Sequence, residues 1–360
     1  MNWLFEDLLK IALGNKKLLS RTPSEADWNE AYLMAEKQTT VGLLLSAVEA
    51  LNEKDKTIMP PPSLFYQWVG EVIRVETNNK VLDNAAGLLT SIFLDGGIRC
   101  CVLKGQGLAQ LYPQPERRQS GDIDIWAEGG RKNVLSFLKR NCFGIGNVVI
   151  HHVDSEIIEG VETEIHFMPV YACNPFLHIR LQKFFNSQSD IQFEHFKKQL
   201  GFAYPTLRFN AIYVLSHIYM HFLYEGIGLR QIIDYYYVLE KLNDEEREQA
   251  KGDVCNVGLS KFAGAVMFVL VSLCGIDESK TIAKLDKKRG TLLNNEIFKS
   301  GNFGKYDERL KNRDEKNLIS FNIVAIKRQL RFLYYYPLDV ISIPFFKVWH
   351  WCWRKVHGYL

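Results

Sequence analysis

The spacing of apolar residues predicts two long helical segments over the first quarter of the chain. The first runs from Ser24 to Leu51 and ends at a run of three prolines. The second begins after the capping residue Ser63 and continues to about Asp95, where two glycines end it. Its apolar face is marked by residues at helical spacing: Leu64, Trp68, Val72, Val75, Leu82, Leu89 and Phe93.

Between residues 98 and 167 the pattern becomes that of short strands. Ile98–Leu103 is short and apolar, which predicts a buried strand. Asp122–Ala127 alternates, so its isoleucines lie on one face and Asp122 and Asp124 on the other. The other predicted elements are a short helix at 107–112, a helix ending near 141, and strands at 147–153 and 160–167. This order is typical of a small α/β or α+β unit.

The remaining part of the chain has mainly helical periodicity. Three helical runs are predicted at 211–226, 229–242 and 260–275. Residues 280–317 are charged and contain several Gly and Asn, which predicts a connector with short helices.

Composition narrows the class of protein. The 360 residues are 47% apolar and 24% charged, which excludes a disordered chain or a small disulfide scaffold. The 44 Lys and Arg against 41 Asp and Glu leave a net charge of +3, so a globally basic nucleic-acid binder is excluded. Residues 326–360 hold six basic residues and one acid, so the positive excess lies in the C-terminal segment.

Several features favour a cytoplasmic protein. The seven cysteines are odd in number and include no CxxC pair, which is typical of a reducing compartment. Glu6 and Asp7 stand where a signal peptide would carry positive charge. Apolar runs are shorter than the roughly 18 residues that a membrane-spanning helix needs.

The clearest indication of a chemically active site is the pair of aspartates in Asp122-Ile-Asp124. Two residues apart on one strand face, the two Cα atoms lie roughly 6.5–7 Å from each other, so both carboxylates can reach one site. Like charges this close favour a compensating cation, and carboxylate oxygens suit Mg²⁺, with Mn²⁺ as the alternative. Alone, this pattern is also compatible with a solvated strand edge.

Two neighbouring segments strengthen the metal hypothesis. Before the aspartates, Lys104 and the turn Gly105-Gln106-Gly107 could approach a phosphate. After them, a strand carries Glu162, Glu164 and His166 on one face. Glu164 could be a third metal ligand or the base that activates a hydroxyl. The alternative is that these polar residues lie on the solvent-exposed face of an edge strand and have no chemical role.

These motifs together resemble a known family. Leu103-Lys104-Gly105, then Leu111-Tyr112-Pro113, then Arg118 before Asp122-Ile-Asp124-Ile, and finally Glu164-Ile-His166 resemble the uncharacterised bacterial nucleotidyltransferase family of the DNA polymerase β superfamily. The resemblance covers about residues 25–240.

The resemblance implies a fold and a set of roles. It implies an α+β fold with a small mixed-sheet, polymerase β-like core flanked by N- and C-terminal helical regions. It also implies Mg²⁺ ligation by Asp122, Asp124 and Glu164, and nucleotide phosphates near Gly105. Two departures matter: Gln106 replaces the superfamily's commoner serine, and Glu162 could take the place of Glu164 because both share a face.

We expect four regions along the chain. They are an N-terminal helical region (1–96), a nucleotidyltransferase core (97–200), a helical acceptor domain (201–325) and a basic aromatic C-terminal segment (326–360).

Further polar residues are candidates for binding substrate. Arg118 could hold a triphosphate or brace its loop by a salt bridge. His217 shares a helix face with His221 and Glu225, for which a structural or pocket role is favoured over zinc binding. Arg230 and Asp234 form either an ordinary helix pair or part of the acceptor pocket.

The predicted activity is transfer of a nucleoside monophosphate from an NTP to a hydroxyl of an unknown acceptor, with release of pyrophosphate. A small molecule or sugar is the favoured acceptor, and a nucleic-acid partner is not expected. The alternatives are a catalytically idle nucleotide-binding module and a protein-modifying nucleotidyltransferase. In the C-terminal segment, Trp349, Trp351 and Trp353 near basic residues suggest a peripheral membrane contact, with docking onto the helical domain as the alternative.

Overall fold

A computed structural model describes residues 2–310 and 318–359 of the chain. The α-helices of these residues are α1 Trp3–Ala12, α2 Glu25–Lys37, α3 Val41–Lys54, α4 Pro62–Asp95, α5 Gly105–Ala109, α6 Gly130–Arg140, α7 Pro175–Glu194, α8 Leu207–Tyr224, α9 Leu229–Lys241, α10 Asp244–Val257, α11 Ser260–Val269, α12 Lys287–Ser300, α13 Leu318–Leu330 and α14 Pro337–Val356. The strands are β1 Cys100–Val102, β2 Ile123–Ala127, β3 His152–Ser155, β4 Thr163–His166, β5 Phe196–Lys197 and β6 Phe202–Ala203. The fold is α+β, as predicted.

The first predicted helical segment is two helices. Helix α2 ends at Lys37, α3 begins at Val41, and Thr39 between them has a positive φ of 53°. The buried Gln38 side chain donates to the carbonyl of Ile297 and accepts from the N–H of Leu229. Contacts with residues about 190 or more positions away therefore accompany the break, and local helix propensity does not reveal them.

The four-stranded sheet has the order β1-β2-β4-β3 and is mixed. Strand β2 pairs antiparallel with β1 and parallel with β4, and β3 completes the sheet antiparallel to β4. The register places Asp124 beside Glu164 and Trp126 beside His166. The parallel pairing therefore brings the two predicted acidic strands together.

Two elements of the core differ from the prediction. The segment at 147–153 is not one strand, because Val148 forms a bridge with Val153 and the chain turns back between them. The short helix begins at Gly105 instead of 107. Gly107 lies against β1, and a Cβ there would stand 2.7 Å from the carbonyl oxygen of Val102, so only glycine fits this approach.

The sheet packs apolar residues on both faces. Ile123, Ile125 and Ile165 belong to one core, and Trp126 belongs to a larger core formed mainly by helices. Helix α4, 34 residues long, contributes to both cores, and all seven residues of its predicted apolar stripe are buried. It therefore joins the core that contains the sheet isoleucines to the core formed mainly by helices.

Trailing helices complete the larger core. The runs at 211–226, 229–242 and 260–275 correspond to α8, α9 and α11 with its π-helical extension, whereas the charged helix α10 was not predicted. Within the expected connector, α12 is a regular 14-residue helix, and residues 311–317 lie outside the described part. The larger core includes residues from Leu4 to Val340 and so draws on all four expected regions. The division of the chain into these four regions stays a prediction.

The C-terminal segment consists of α13 and α14. Helix α14 contains Pro344 in its interior and buries Val340 and Ile343. Among the described residues, no helix is long and apolar enough to cross a membrane.

Candidate active site

A cavity of about 370 Å³ lies between the sheet and helices α8 and α9. Most of the residues predicted to act chemically line it: Lys104, Gly105, Arg118, Asp122, Asp124, Glu164, His166, His217, Arg230 and Asp234. Gln106 and Glu162 are not among its lining residues. The volume is in the usual range for a small-molecule site, roughly 300–1,000 Å³.

The centre of the cavity is a pair of carboxylates from adjacent strands. Asp124 on β2 and Glu164 on β4 are register partners, and His166 on β4 lies between their side chains. The His166 Nε2 atom is 2.9 Å from Asp124 Oδ1 and 3.3 Å from Glu164 Oε2. One ligand atom of each of these three residues lies within 4.8 Å of the others.

Asp122 takes a different position. It precedes the first residue of β2 and lines the cavity, but it is not part of the described group formed by Asp124, Glu164 and His166. Glu162 is exposed, outside the cavity, and its backbone carbonyl accepts from the N–H of Ile123. Of the two glutamates left open by the sequence, Glu164 is therefore the one that faces Asp124.

Lys104 supplies positive charge to this group. Its Nζ atom is 2.7 Å from Asp124 Oδ1 and 3.0 Å from His217 Nε2. Burial opposes the charge on the ammonium, but Asp124, Asp122 and Glu164 outweigh it and raise the pKa of Lys104. The lysine therefore stays charged beside the aspartate.

The neighbouring groups are charged as well. Burial disfavours the ionised forms, yet the Asp124 and Glu164 hydrogen bonds raise the pKa of His166 to about 9. His166 and Lys104 in turn lower the pKa of Glu164 to about 2 and also lower the pKa of Asp124. Both carboxylates are ionised at neutral pH, and Glu164 is too weak a base to accept a proton readily.

This donor set fits a divalent cation. Two ionised carboxylates converge in a cavity, with a third, Asp122, on its wall. Oxygen donors of this kind suit Mg²⁺, with Mn²⁺ as the alternative. Glu164 faces Asp124 across paired strands, which is the position that a shared ligand role requires.

Gln106 faces away from the cavity. Its buried side chain donates to Asp83 Oδ1 at 2.6 Å and to the carbonyl of Asn79 at 3.4 Å, both on α4. The side chain of Gln106 therefore joins α5 to α4, and the prediction that this turn approaches a phosphate concerns its backbone. Gly105 does line the cavity, with a positive φ of 47°.

Arg118 and Asp234 form a buried, bidentate ion pair. Arg118 Nε and Nη2 donate to the two carboxylate oxygens of Asp234 at 2.7 and 2.8 Å, and Tyr112 Oη donates to the same carboxylate at 2.7 Å. The pair joins the loop before β2 to helix α9. These contacts are those of the salt bridge considered for Arg118 from the sequence.

Arg230 is bonded elsewhere. Its Nη1 donates to the backbone carbonyl of Gln119, in the loop that carries Arg118. The hydrogen bonds of Asp234 come from Arg118 and Tyr112, so the helix pair considered from the i, i+4 spacing is not what holds Asp234. Both residues line the cavity.

A chain of polar side chains extends from Lys104 along α8. His217 Nε2 is 2.9 Å from His221 Nε2, and His221 Nδ1 is 2.9 Å from Glu225 Oε2. Burial and the charge of Lys104 lower the pKa of His217 well below its ordinary value, so its imidazole is neutral. The arrangement agrees with the favoured pocket role.

Two further histidines line the cavity, although the sequence analysis did not name them as site residues. His151 and His152 lie at the start of β3 and line the cavity beside His166. In the sequence, the adjacent histidines were the feature that could have indicated this site. They fall within the single strand predicted at 147–153, where the structure has a turn. Only the pairing of β3 with β4 brings these side chains to the carboxylates.

Comparison with known proteins identifies the family. Residues 24–275 match a family described as uncharacterised nucleotidyltransferase. The chain belongs to this family. No curated protein and no solved structure matches.

The family assignment agrees with the resemblance found in the sequence motifs. The matched residues of this nucleotidyltransferase begin just before α2 and extend past α11, beyond residue 240 where the sequence resemblance ended. They include the sheet, the carboxylates and helices α8 and α9, and therefore the described residues that line the cavity, except Phe303.

Proposed function

We propose that this nucleotidyltransferase moves a nucleoside monophosphate from an NTP to a hydroxyl of a small molecule or sugar, with Mg²⁺ as cofactor. The observation that carries the proposal is the meeting of Asp124 and Glu164 from parallel strands in one cavity, with Asp122 on its wall. The family assignment supplies the reaction class. When bound, Mg²⁺ would neutralise charge on the phosphates and help the pyrophosphate to leave.

The residues of the chain contribute in separate ways. Asp124 and Glu164, with Asp122, would hold the cation. Lys104 keeps its charge inside the cavity and can pair with a phosphate oxygen once a nucleotide enters. Arg118 and Asp234 hold the loop before β2 in place. The Arg118 guanidinium already donates to Asp234 and Ser120. We therefore expect Lys104 and the backbone near Gly105 to contact the phosphates.

A small acceptor is favoured by the shape and charge of the site. The cavity is small, and the body of the chain lacks the basic excess that a nucleic-acid primer requires. A cytoplasmic location remains a proposal that rests on the cysteine pattern.

The test is pyrophosphate release from each of the four NTPs in the presence of Mg²⁺. We expect release to depend on both Mg²⁺ and a low-molecular-mass metabolite extract, because the acceptor is a small hydroxyl compound. Labelled NTP incorporated into lysate proteins would instead indicate a protein-modifying enzyme. NTP binding without release in any extract would indicate a catalytically idle module.

A second proposal concerns helix α14, which we expect to contact an anionic membrane surface. Its exposed apolar and thiol side chains recur every three or four residues and share one face: Leu338, Ile341, Phe345, Val348, Trp349, Cys352 and Val356. The helix carries one acid and three basic residues, Lys347, Arg354 and Lys355. An apolar face, tryptophans and net positive charge suit the interface of anionic lipids.

Sedimentation with vesicles tests this contact. We expect the protein to bind phosphatidylglycerol-containing vesicles and Phe345→Glu to weaken binding by about 10-fold or more, since a charge would enter the acyl boundary. Leu33→Glu, at an exposed position on α2, is the matched control. Equal binding by both variants, or a stable dimer that Phe345→Glu dissociates, would count against membrane contact.

A further inference from the structure

Imidazoles are concentrated around the cavity. Five of the nine histidines of the chain line it, namely His151, His152, His166, His217 and His221. Three of them, His151, His152 and His166, each offer one nitrogen within 4.8 Å of the others. This three-histidine cluster adjoins the carboxylates and does not include Asp122 or Asp124.

Three backbone interactions position the three-histidine cluster. His152 and His166 are register partners on the antiparallel strands β3 and β4. The backbone carbonyl of His151 accepts from the N–H of Phe167 at 2.7 Å, directly after β4. The turn closed by the bridge between Val148 and Val153 presents both neighbouring histidines to the sheet. The imidazoles therefore stand on paired strands, as a preorganised site requires.

Three of the separations between the ligand atoms are close to those of tetrahedral coordination. His151 Nε2 lies 3.0 Å from His152 Nδ1, and Glu164 Oε2 lies 3.3 Å from both His152 Nδ1 and His166 Nε2. Donor atoms bound about 2.0–2.1 Å from a tetrahedral Zn²⁺ are about 3.3–3.4 Å from one another.

The second nitrogens of two of these imidazoles lack partners. The Nδ1 atoms of His151 and His166 are buried, and neither has a hydrogen-bond partner among the described residues. The nitrogens near His152 and Glu164 are the Nε2 atoms, so each Nδ1 is left to donate to a buried water, as the outer nitrogen of a metal-bound imidazole does.

An incoming ion would compete with the contacts that His166 Nε2 makes to Asp124 and Glu164, and its binding would release the proton shared in them. Glu164 adds a carboxylate oxygen at the edge of the cluster.

We propose that His151, His152 and His166 bind a zinc-class divalent ion, with Glu164 or water as the fourth ligand. Imidazole nitrogen prefers Zn²⁺ and related transition metals, whereas Mg²⁺ prefers oxygen. The cluster is therefore a second metal site beside the oxygen-rich one, and Glu164 can bridge the two. The inference does not rest on nucleotidyl transfer, because it needs no nucleotide.

The experiment uses the full-length protein after removal of metal by a chelator and dialysis. Zn²⁺ is titrated in competition with a chromophoric chelator, and Co²⁺ is titrated separately while the visible spectrum is recorded. We expect one Zn²⁺ per chain and the intense visible bands of four-coordinate Co²⁺ with nitrogen ligands. His151→Ala and His152→Ala should each weaken Zn²⁺ binding by more than about 10–100-fold, the range known for loss of supporting interactions alone.

Matched controls separate this site from other metal binding. His357→Ala removes an exposed histidine at the C-terminus and should leave the Zn²⁺ affinity unchanged. Circular dichroism checks that the variants fold, and the Co²⁺ spectrum of the unmodified chain reports ligation without any variant.

The outcomes distinguish this inference from the proposed function. Absence of stoichiometric Zn²⁺, a weak six-coordinate Co²⁺ spectrum, or an affinity unchanged in both histidine variants would overturn the zinc site. A protein that binds Zn²⁺ through these residues but never releases pyrophosphate keeps the site and loses the proposed reaction.

Discussion

Asp124→Asn is expected to reduce Mg²⁺-dependent pyrophosphate release by about 10²–10³-fold, the scale for losing one preorganised electrostatic group. The side chain keeps its shape but loses the charge that faces Lys104, His166 and the proposed cation. The initial rate of pyrophosphate release at saturating NTP measures the effect.

The control for this substitution is Asp190→Asn. Asp190 is exposed on α7 and pairs with Arg99, away from the cavity, so its loss should leave the rate unchanged. Because Asp124 is buried, thermal unfolding must show that the variant still folds. Glu164→Gln provides a second variant at a half-buried position. Wild-type rates in both folded variants would refute the carboxylate site.

Asp234→Ala is expected to lower the free energy of unfolding by about 3–5 kcal/mol, the usual effect of breaking a buried ion pair. The substitution leaves the Arg118 guanidinium buried without its partner and removes the acceptor of the Tyr112 hydroxyl. Both side chains of the ion pair are about 5% exposed, so water cannot easily replace the lost contacts. Urea unfolding followed by circular dichroism measures the change.

A more exposed pair serves as the comparison. Asp253 accepts from Arg208 in the same bidentate manner, but the Asp253 and Arg208 side chains are 13% and 33% exposed, so Asp253→Ala should cost less, about 1–2 kcal/mol. The double variant Arg118→Met, Asp234→Leu removes both charges and should recover much of the lost stability. Equal losses for Asp234→Ala and Asp253→Ala would show that burial is not the cause.

Much of the fold was predictable because its local periodicity is strong. The apolar stripe of α4 and the alternation in β2 each follow from a spacing that one element imposes on its own side chains. The division between α2 and α3 was missed because Gln38 bonds to residues far along the chain. Helix α10 was missed because its residues are largely polar and charged, so it shows little apolar periodicity.

The candidate site was predictable in composition but not in arrangement. Motifs named Asp122, Asp124 and Glu164 together with Lys104 and His166, and the structure gathers these residues around one cavity. Their mutual distances depend on the parallel pairing of β2 with β4, which no local spacing reveals. Gln106 was assigned to the site by its position in a turn, yet its side chain bonds to α4.

By itself, the sequence determined which residues can do chemistry and which face of each element they occupy, because side-chain periodicity is a local property of the backbone. It also carried enough ordered motifs to indicate the nucleotidyltransferase family. Only the tertiary structure decided that Glu164 and not Glu162 faces Asp124, that Arg118 is held by Asp234, and that His151 and His152 join the site. Those choices depend on strand order, register and burial, which arise from contacts between residues distant along the chain.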